Sequence, residues 1–308
     1  RNCPQFIDAF YATQKTGMYT VPVNVSLKGD GLVHILKNSE ARAIVIDDAS
    51  WDNYAAIREQ VPEIGSIIVD QSEAPPTFEL PEGCIDLASF YQPDAPTDRP
   101  SARPTRGDIS VLMYTSGTTG LPKGVVWEYG DSRVDVLGLL AHQIFNADDN
   151  LFTVAPLFHA NALFVSGLSA MHANAKFSLG SRFSARSFWD EARHYRATSF
   201  NALGSIMEIL MMQKPSLQDK DHRVRVIVSA AVTPDTWKRF EERFGLTVWQ
   251  AYGAVDAGSG MLINFENSPK GSLGKPLGVK CRVINEEGEI AADEELGMTA
   301  SASSSRVV

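Results

Sequence analysis

Apolar positions along the chain switch repeatedly between two periods. In "QFIDAFYATQKTG" (5–17) they recur at helical spacing until Gly17, and "GLVHILKNS" (31–39) and "WDNYAAIREQ" (51–60) repeat that spacing. Between these helices lie short β-rich runs: the extended "MYTVPV", then "ARAIVID" (41–47) and "SIIVD" (66–70), both suited to buried parallel strands. Helix and strand in alternation predict an α/β sheet.

Residues 71–107 interrupt the rhythm. Seven of the sixteen prolines fall there (75, 76, 81, 93, 96, 100, 104), and the segment reads as an extended connector containing one short element at "CIDLASF". The alternation resumes at "DISVLMYT" (108–115), a strand, with "GVVW" (124–127) as a second. A helix at 132–145, the strand "NLFTVA", a helix from Ala162 and the strand "AKFSL" follow. "SARSFWDEARHYR" (184–196) predicts a helix with Ser184 as N-cap and Phe188, Ala192 and Tyr195 on one face. "TSFNAL" and "RVIVSA" are strands around a Met-rich helix at 205–212, whose methionines suit core filling. "TPDTWKRFEERFG" has an N-cap threonine, proline in the first turn, apolar Trp237, Phe240 and Phe244, and Gly245 as its stop, before the strand "LTVWQAY".

With 308 residues, 44% hydrophobic and 21% charged, the chain has ample material for a buried core. A net charge of −9 argues against a nucleic-acid binder, so any anion site must be local. Three widely spaced cysteines (Cys3, Cys84, Cys281) fit neither a metal site nor a disulfide framework, and point to a reducing cytoplasm. No stretch reaches the roughly 18 apolar residues of a transmembrane segment. Nothing in the sequence fixes an oligomeric state.

The chemistry concentrates in "YTSGTTGLPKG" (114–124), with three glycines, four Ser/Thr hydroxyls, one lysine and no carboxylate. Glycines let a backbone approach closely, amides and hydroxyls donate hydrogen bonds, and Lys123 adds a positive charge, a set suited to a polyphosphate. A solvated turn is the simpler alternative. The order of residues excludes a Walker A loop, because the lysine precedes Gly124 and a strand, not a helix, follows.

This string resembles the phosphate-binding signature of the adenylate-forming enzymes, which include acyl-CoA synthetases, luciferases and peptide-synthetase adenylation domains. Three further segments resemble the family's in the expected order: "APLFHANA" (155–162), "SAAVTP" (229–234) and "QAYGAVDAG" (250–258). The similarity runs from residue 1 to about 290 and implies the large N-terminal α/β domain of such an enzyme, truncated at both ends. Its parts would be residues 1–70, the 71–107 connector, an ATP- and carboxylate-binding part at 108–290 and an atypical tail at 291–308, with the small C-terminal domain absent.

The resemblance implies ATP-dependent activation of a small carboxylic acid as acyl-adenylate, then transfer to coenzyme A, as in fatty-acid metabolism. It assigns Thr115, Ser116, Thr118, Thr119 and Lys123 to the phosphates, with Gly117 and Gly120 supplying backbone freedom. Ala230 and Ala231 would lie against adenine, with Tyr252 offering its ring and Gly253 leaving room. His159 would shape the carboxylate pocket. Asp256 stands where the family has a Mg²⁺-binding glutamate, and Val255 replaces the preceding threonine, removing a phosphate donor.

The stretch 183–211 is also similar to carnitine- or crotonobetaine-CoA ligases, where a cationic substrate would want an aromatic or acidic cage, with Trp189, Tyr195 and Phe200 as aromatic candidates. Two rivals remain: an amino-acid adenylation domain and a non-catalytic nucleotide-binding remnant. The first needs an acidic residue near "APLFHANA", and none occurs between Leu151 and Ser187.

Overall fold

The computed structural model describes residues 1–75, 77–94, 98, 100–115, 120–255, 261–264, 268–277, 282–284, 289–290 and 306–307. The chain divides into two compact units, Cys3–Asp131 with Arg1, and Ser132–Val308 with Asn2.

The first unit opens with α1 (Pro4–Thr16), which ends at Gly17 in the left-handed conformation (φ 74°) as the sequence predicts. Helix α2 (Gly29–Asn38) and strand β1 (Ala43–Asp47) follow. Helix α3 (Asp48–Ala55) starts earlier than its apolar period suggests, because the Asp47 carboxylate caps it by accepting from the Ser50 amide. β1 pairs in parallel with β2 (Ser66–Asp70), and the predicted short element supplies β3 (Ile85–Asp86), which extends this sheet. β4 (Ile109–Thr115) and β5 (Lys123–Glu128) form an antiparallel hairpin. Leu32, Leu36, Tyr54, Ile57, Ile67 and Val69 make up this unit's core.

The second unit is built on a seven-stranded sheet of order β12-β11-β10-β9-β8-β6-β7. Its strands are β6 (Asn150–Thr153), β7 (Lys176–Leu179), β8 (Ser199–Leu203), β9 (Val226–Ala230), β10 (Thr247–Tyr252), β11 (Met261–Asn264) and β12 (Lys275–Leu277). The five strands β6 to β10 are parallel, and β11 and β12 add antiparallel at the edge. Among the described residues, helices α4 (Ser132–Ile144), α5 (Ser169–His172), α6 (Phe188–His194), α7 (Gly204–Met211) and α8 (Pro234–Phe244) accompany the sheet, with a π-helix at Asn161–Leu168 leading into α5 and a separate antiparallel pair, Val283–Ile284 with Arg306–Val307.

Strand periodicity sorts side chains to opposite faces. Phe152, Phe200, Ile227 and Val248 join a core with Phe188, Met207, Trp237 and Phe240 from α6, α7 and α8. Their neighbours Leu151, Val226, Val228 and Ala251 face Leu140, Ile144 and Ala170 from α4 and α5. Both faces are covered, which explains why the strands read as unbroken apolar runs.

Two expectations need correction. Ser184 is not the N-cap of α6: Ser187 takes that position, while the Ser184 carbonyl accepts the amides of Ser187 and Phe188 in a preceding turn. Tyr195 falls past the helix end as its C-cap and is 37% exposed, so the buried face comprises Phe188 and Ala192. The expected caps of α8 are present, with Thr233 accepting from the Thr236 amide and Gly245 left-handed at φ 71°.

At the amino ends of the parallel strands sits Asp149, 3% exposed. Arg225 donates to its two carboxylate oxygens at 3.0 and 2.6 Å, Thr198 Oγ1 donates at 2.6 Å and the Asn146 amide at 2.9 Å. Burial pushes this carboxyl up, but the Arg225, Thr198 and Asn146 hydrogen bonds outweigh it and hold its pKa below the usual value. Asp149→Ala, which leaves the guanidinium and hydroxyl without their acceptor, is expected to lower stability in urea by about 3 kcal/mol. Because the folded pKa is depressed, the advantage of wild type over Asp149→Asn should be constant above about pH 5. It should shrink as pH falls below about 4, through the folded value. A pH-independent difference would show that the charge contributes nothing.

Candidate functional site

In the first unit, the two ends of the 114–124 string lie at the mouth of the β4–β5 hairpin. Thr115 pairs with Lys123 and Tyr114 with Gly124, so the two predicted phosphate ligands at the ends of the loop face each other across the strands. Lys123 is exposed and makes no ion pair with any described residue. A Cβ at Gly120 would meet no described residue within 4 Å, so among the described residues nothing blocks an approach to the backbone there. Ser116, Gly117, Thr118 and Thr119 lie outside the described residues.

In the second unit, the remaining candidates gather at the carboxyl ends of the parallel strands, where α/β sheets place ligands. Ala230 ends β9, and Tyr252 ends the adjacent β10 with 41% of its surface exposed. Gly253 follows, exposed, and the Arg133 guanidinium donates to the Val255 carbonyl at 3.1 Å, securing that segment to α4. Asp256 lies outside the described residues.

His159 sits in the turn between β6 and the π-helix, its amide bonded to the Pro156 carbonyl and its carbonyl to the Leu163 amide. Asn2, which belongs to this unit, locks the preceding turn by donating to the Ala155 and Gly180 carbonyls and accepting from the Leu157 amide. The His159 ring is 4.4 Å from that of Phe158. Although the residue is exposed at one side, desolvation of the rest pushes the imidazole pKa down, leaving it neutral at pH 7.

Ala231 is held at φ 55°, in the left-handed region that a residue with a Cβ rarely adopts. Beside it lies Gly204, at the start of α7. A Cβ there would lie 2.0 Å from the Ala231 carbonyl oxygen, so the two strand-to-helix turns pack backbone against backbone. Sequence reading identified Ala231 but missed Gly204; its signal was a glycine immediately after an apolar strand. Two of the three candidates for the aromatic cage pack inside the protein instead. Phe200 is 2% exposed in the core, and Trp189 packs on Phe200 and Phe244 and stacks on His222 at 4.5 Å.

A glycine-rich string with one lysine between two paired strands, together with strand-to-helix turns at the carboxyl ends of a parallel sheet, are features of adenylate-forming enzymes. The chain belongs to this class: it matches the AMP-binding enzyme family over residues 1–299. It is 30% identical over 268 residues to the crotonobetaine/carnitine–CoA ligase of Escherichia coli O139:H28, covering 85% of this chain and 50% of that protein. The medium/long-chain-fatty-acid–CoA ligase FadD6 of Mycobacterium tuberculosis is 31% identical over 280 residues (90% and 45%). Long-chain fatty acid transport protein 3 of Homo sapiens is 29% identical over 282 residues (88% and 39%). The chain thus spans half or less of the length of these curated relatives.

The same fold occurs in the anthranilate CoA ligase AuaEII in complex with anthranoyl-AMP, with a TM-score of 0.80 and 21% identity over 94% of this chain and 56% of that one. It occurs also in ATP-bound MatB from Rhodopseudomonas palustris, with a TM-score of 0.77 and 22% identity over 94% and 56%. No described helix is long and apolar enough to cross a membrane.

The Gly204–Ala231 contact yields a stability prediction. Gly204→Ala is expected to cost more than about 2 kcal/mol, since both colliding groups are backbone. Ala231→Gly should change stability by less than about 1 kcal/mol, because released strain is offset by added unfolded-state entropy. Thermal unfolding of both variants checks this, and a Gly204→Ala chain as stable as its parent would contradict the tight packing.

Proposed function

We propose that this chain carries the acid-activating chemistry of an AMP-forming acyl-CoA ligase, with residues 108–290 as its ATP- and carboxylate-binding part. A carboxylate oxygen attacks the α-phosphate of Mg·ATP, the bond to the bridging β-phosphate oxygen breaks, and pyrophosphate leaves as acyl-adenylate forms. In the longer enzymes the thiol of coenzyme A then attacks the acyl carbon and AMP departs. The observation that carries this reading is the hairpin, which sets Thr115 opposite Lys123 at the two ends of a Ser/Thr/Gly loop in a chain matched to the family over residues 1–299.

Under this reading, donors and one positive charge meet the negative charge that develops on the leaving pyrophosphate. Thr115, Ser116, Thr118, Thr119 and Lys123 hold the phosphates, and the open backbone at Gly120 admits them. Ala230, Ala231, Tyr252 and Gly253 receive the adenine. Mg²⁺ is carried mainly by the nucleotide phosphates, with one protein carboxylate, Asp256. His159 shapes the acid's pocket and moves no proton, since it is neutral and the attacking carboxylate is already ionised at pH 7.

The substrate class is a carboxylic acid without a required ammonium, because the 151–187 segment lacks an acidic partner for one. A cytoplasmic site of action belongs to the same proposal, supported by the free thiols of Cys3 and Cys84.

Exchange of labelled pyrophosphate into ATP, run with a panel of carboxylic acids, tests the reading directly. Lys123→Ala and Thr119→Val should each slow exchange about 10- to 150-fold while leaving thermal stability in place, the cost of a charge-assisted hydrogen bond. Wild-type exchange in both variants would remove the phosphate-loop assignment. Asp256→Glu, which restores the family's ligand length, should lower the Mg²⁺ concentration needed for half-maximal exchange. A higher requirement would mean that the local backbone is fitted to aspartate.

A further inference from the structure

Helix α2 touches the mouth of the β4–β5 hairpin at two points one helical turn apart. His34 Nε2 lies 2.9 Å from the carbonyl oxygen of Pro122, and the Tyr114 hydroxyl donates to Asn38 Oδ1 at 2.6 Å. Asn38 follows His34 by four positions, so both project from one face of the helix. A carbonyl oxygen only accepts, so the His34 proton resides on Nε2. The His34 and Tyr114 rings also meet edge to face, 6.3 Å apart and 85° inclined. Tyr114 in turn lies over the glycine opposite it: a Cβ at Gly124 would approach the ring Cζ to 3.2 Å.

The residues that α2 holds are the immediate predecessors of the residues that close the loop. Pro122 precedes Lys123, and the rigid peptide plane containing the Pro122 carbonyl also contains the Lys123 amide. Tyr114 precedes Thr115, the register partner of Lys123. Fixing the Pro122 carbonyl therefore fixes the plane from which Lys123 departs, and fixing the Tyr114 hydroxyl fixes the end of the opposing strand. The Tyr114–Asn38 bond is solvent-exposed, where a hydrogen bond adds little to global stability. Its effect falls on the local geometry of the loop mouth.

We propose that His34 and Asn38 are positioning residues for nucleotide binding. By holding Pro122 and Tyr114, they set the separation and orientation of Lys123 and Thr115 before ATP arrives. Without them the mouth would be ordered only on binding, and that ordering cost would appear as lost affinity. The inference rests on the nucleotide reading of the loop given above.

The test uses the full chain and the variants His34→Leu, His34→Gln, Asn38→Leu, Asn38→Asp and Tyr114→Phe. Mg·ATP affinity is measured by calorimetry, and amide hydrogen exchange is followed in the hairpin without nucleotide. His34→Leu, Asn38→Leu and Tyr114→Phe should each weaken Mg·ATP binding about three- to tenfold and accelerate exchange of the hairpin amides. His34→Gln keeps an N–H donor and Asn38→Asp keeps the acceptor, so both should recover most of the lost affinity. Tyr114→Phe deletes one oxygen without changing shape, which keeps the test decisive if a leucine variant fails to fold.

Faster hairpin exchange with unchanged Mg·ATP affinity would reduce the brace to a structural strut and overturn the inference. Equal losses in His34→Gln and His34→Leu would overturn it for His34. A wild-type chain that binds no Mg·ATP would defeat the nucleotide reading and the positioning role together. Wild-type binding with unaffected variants would defeat the positioning role alone.

Discussion

The second unit depends on one buried carboxylate at the edge of its sheet remote from the candidate ligands. Asp149 draws in the guanidinium of Arg225 just before β9, the hydroxyl of Thr198 just before β8, and the amide of Asn146 in the turn that leads into β6. Backbone bonds run along the same edge, from the Thr198 amide to the Asn150 carbonyl, from Arg225 to Thr198 and from Thr247 to Arg225. Four neighbouring strands are thereby started in register. A slip of one residue would turn every core side chain to the wrong face, so register and core support each other. The opposite ends of these strands follow by residue count, and Ala230 and Tyr252 reach the carboxyl edge of the sheet because their strands begin where this network fixes them.

Much of this architecture was legible in the sequence, for reasons that differ between elements. β8 and β9 are short apolar runs bounded by helices, and burial on both faces of a parallel sheet leaves few other ways to read them; β1 pairs in parallel as its apolar run suggests, but it is not the buried strand expected, since Val45 is 45% exposed. Helix α8 announced both ends through Thr233, Pro234 and Gly245, since capping is a local interaction within a few residues. The hairpin was legible from the loop string between two strand patterns.

What escaped notice depends on distance along the chain. Asp149 and Arg225 are 76 residues apart, and neither carries a local sign of the other. His34 and Asn38 share a helix face by spacing alone, but the partners of that face lie 88 and 76 residues further on. Gly204 could be noticed as a glycine after a strand, yet the reason for it is the carbonyl of Ala231 in another turn. Ser184 was misread because serines at 184 and 187 offer the same local chemistry, and the preceding turn decides between them.

The strand order of the parallel sheet bears on how this unit is made. β6 and β7 emerge first and pair; β8 then adds beside β6, β9 beside β8, β10 beside β9, and β11 and β12 continue in the same direction. From β8 onward, no strand has to insert between two that already exist. A nascent chain leaving the ribosome can extend this sheet at one growing margin, each helical crossover closing over the strand just laid down. Synthesis order and spatial order coincide from β8 to β12, so the growing margin at any moment belongs to the strand most recently completed, while β7 holds the opposite edge.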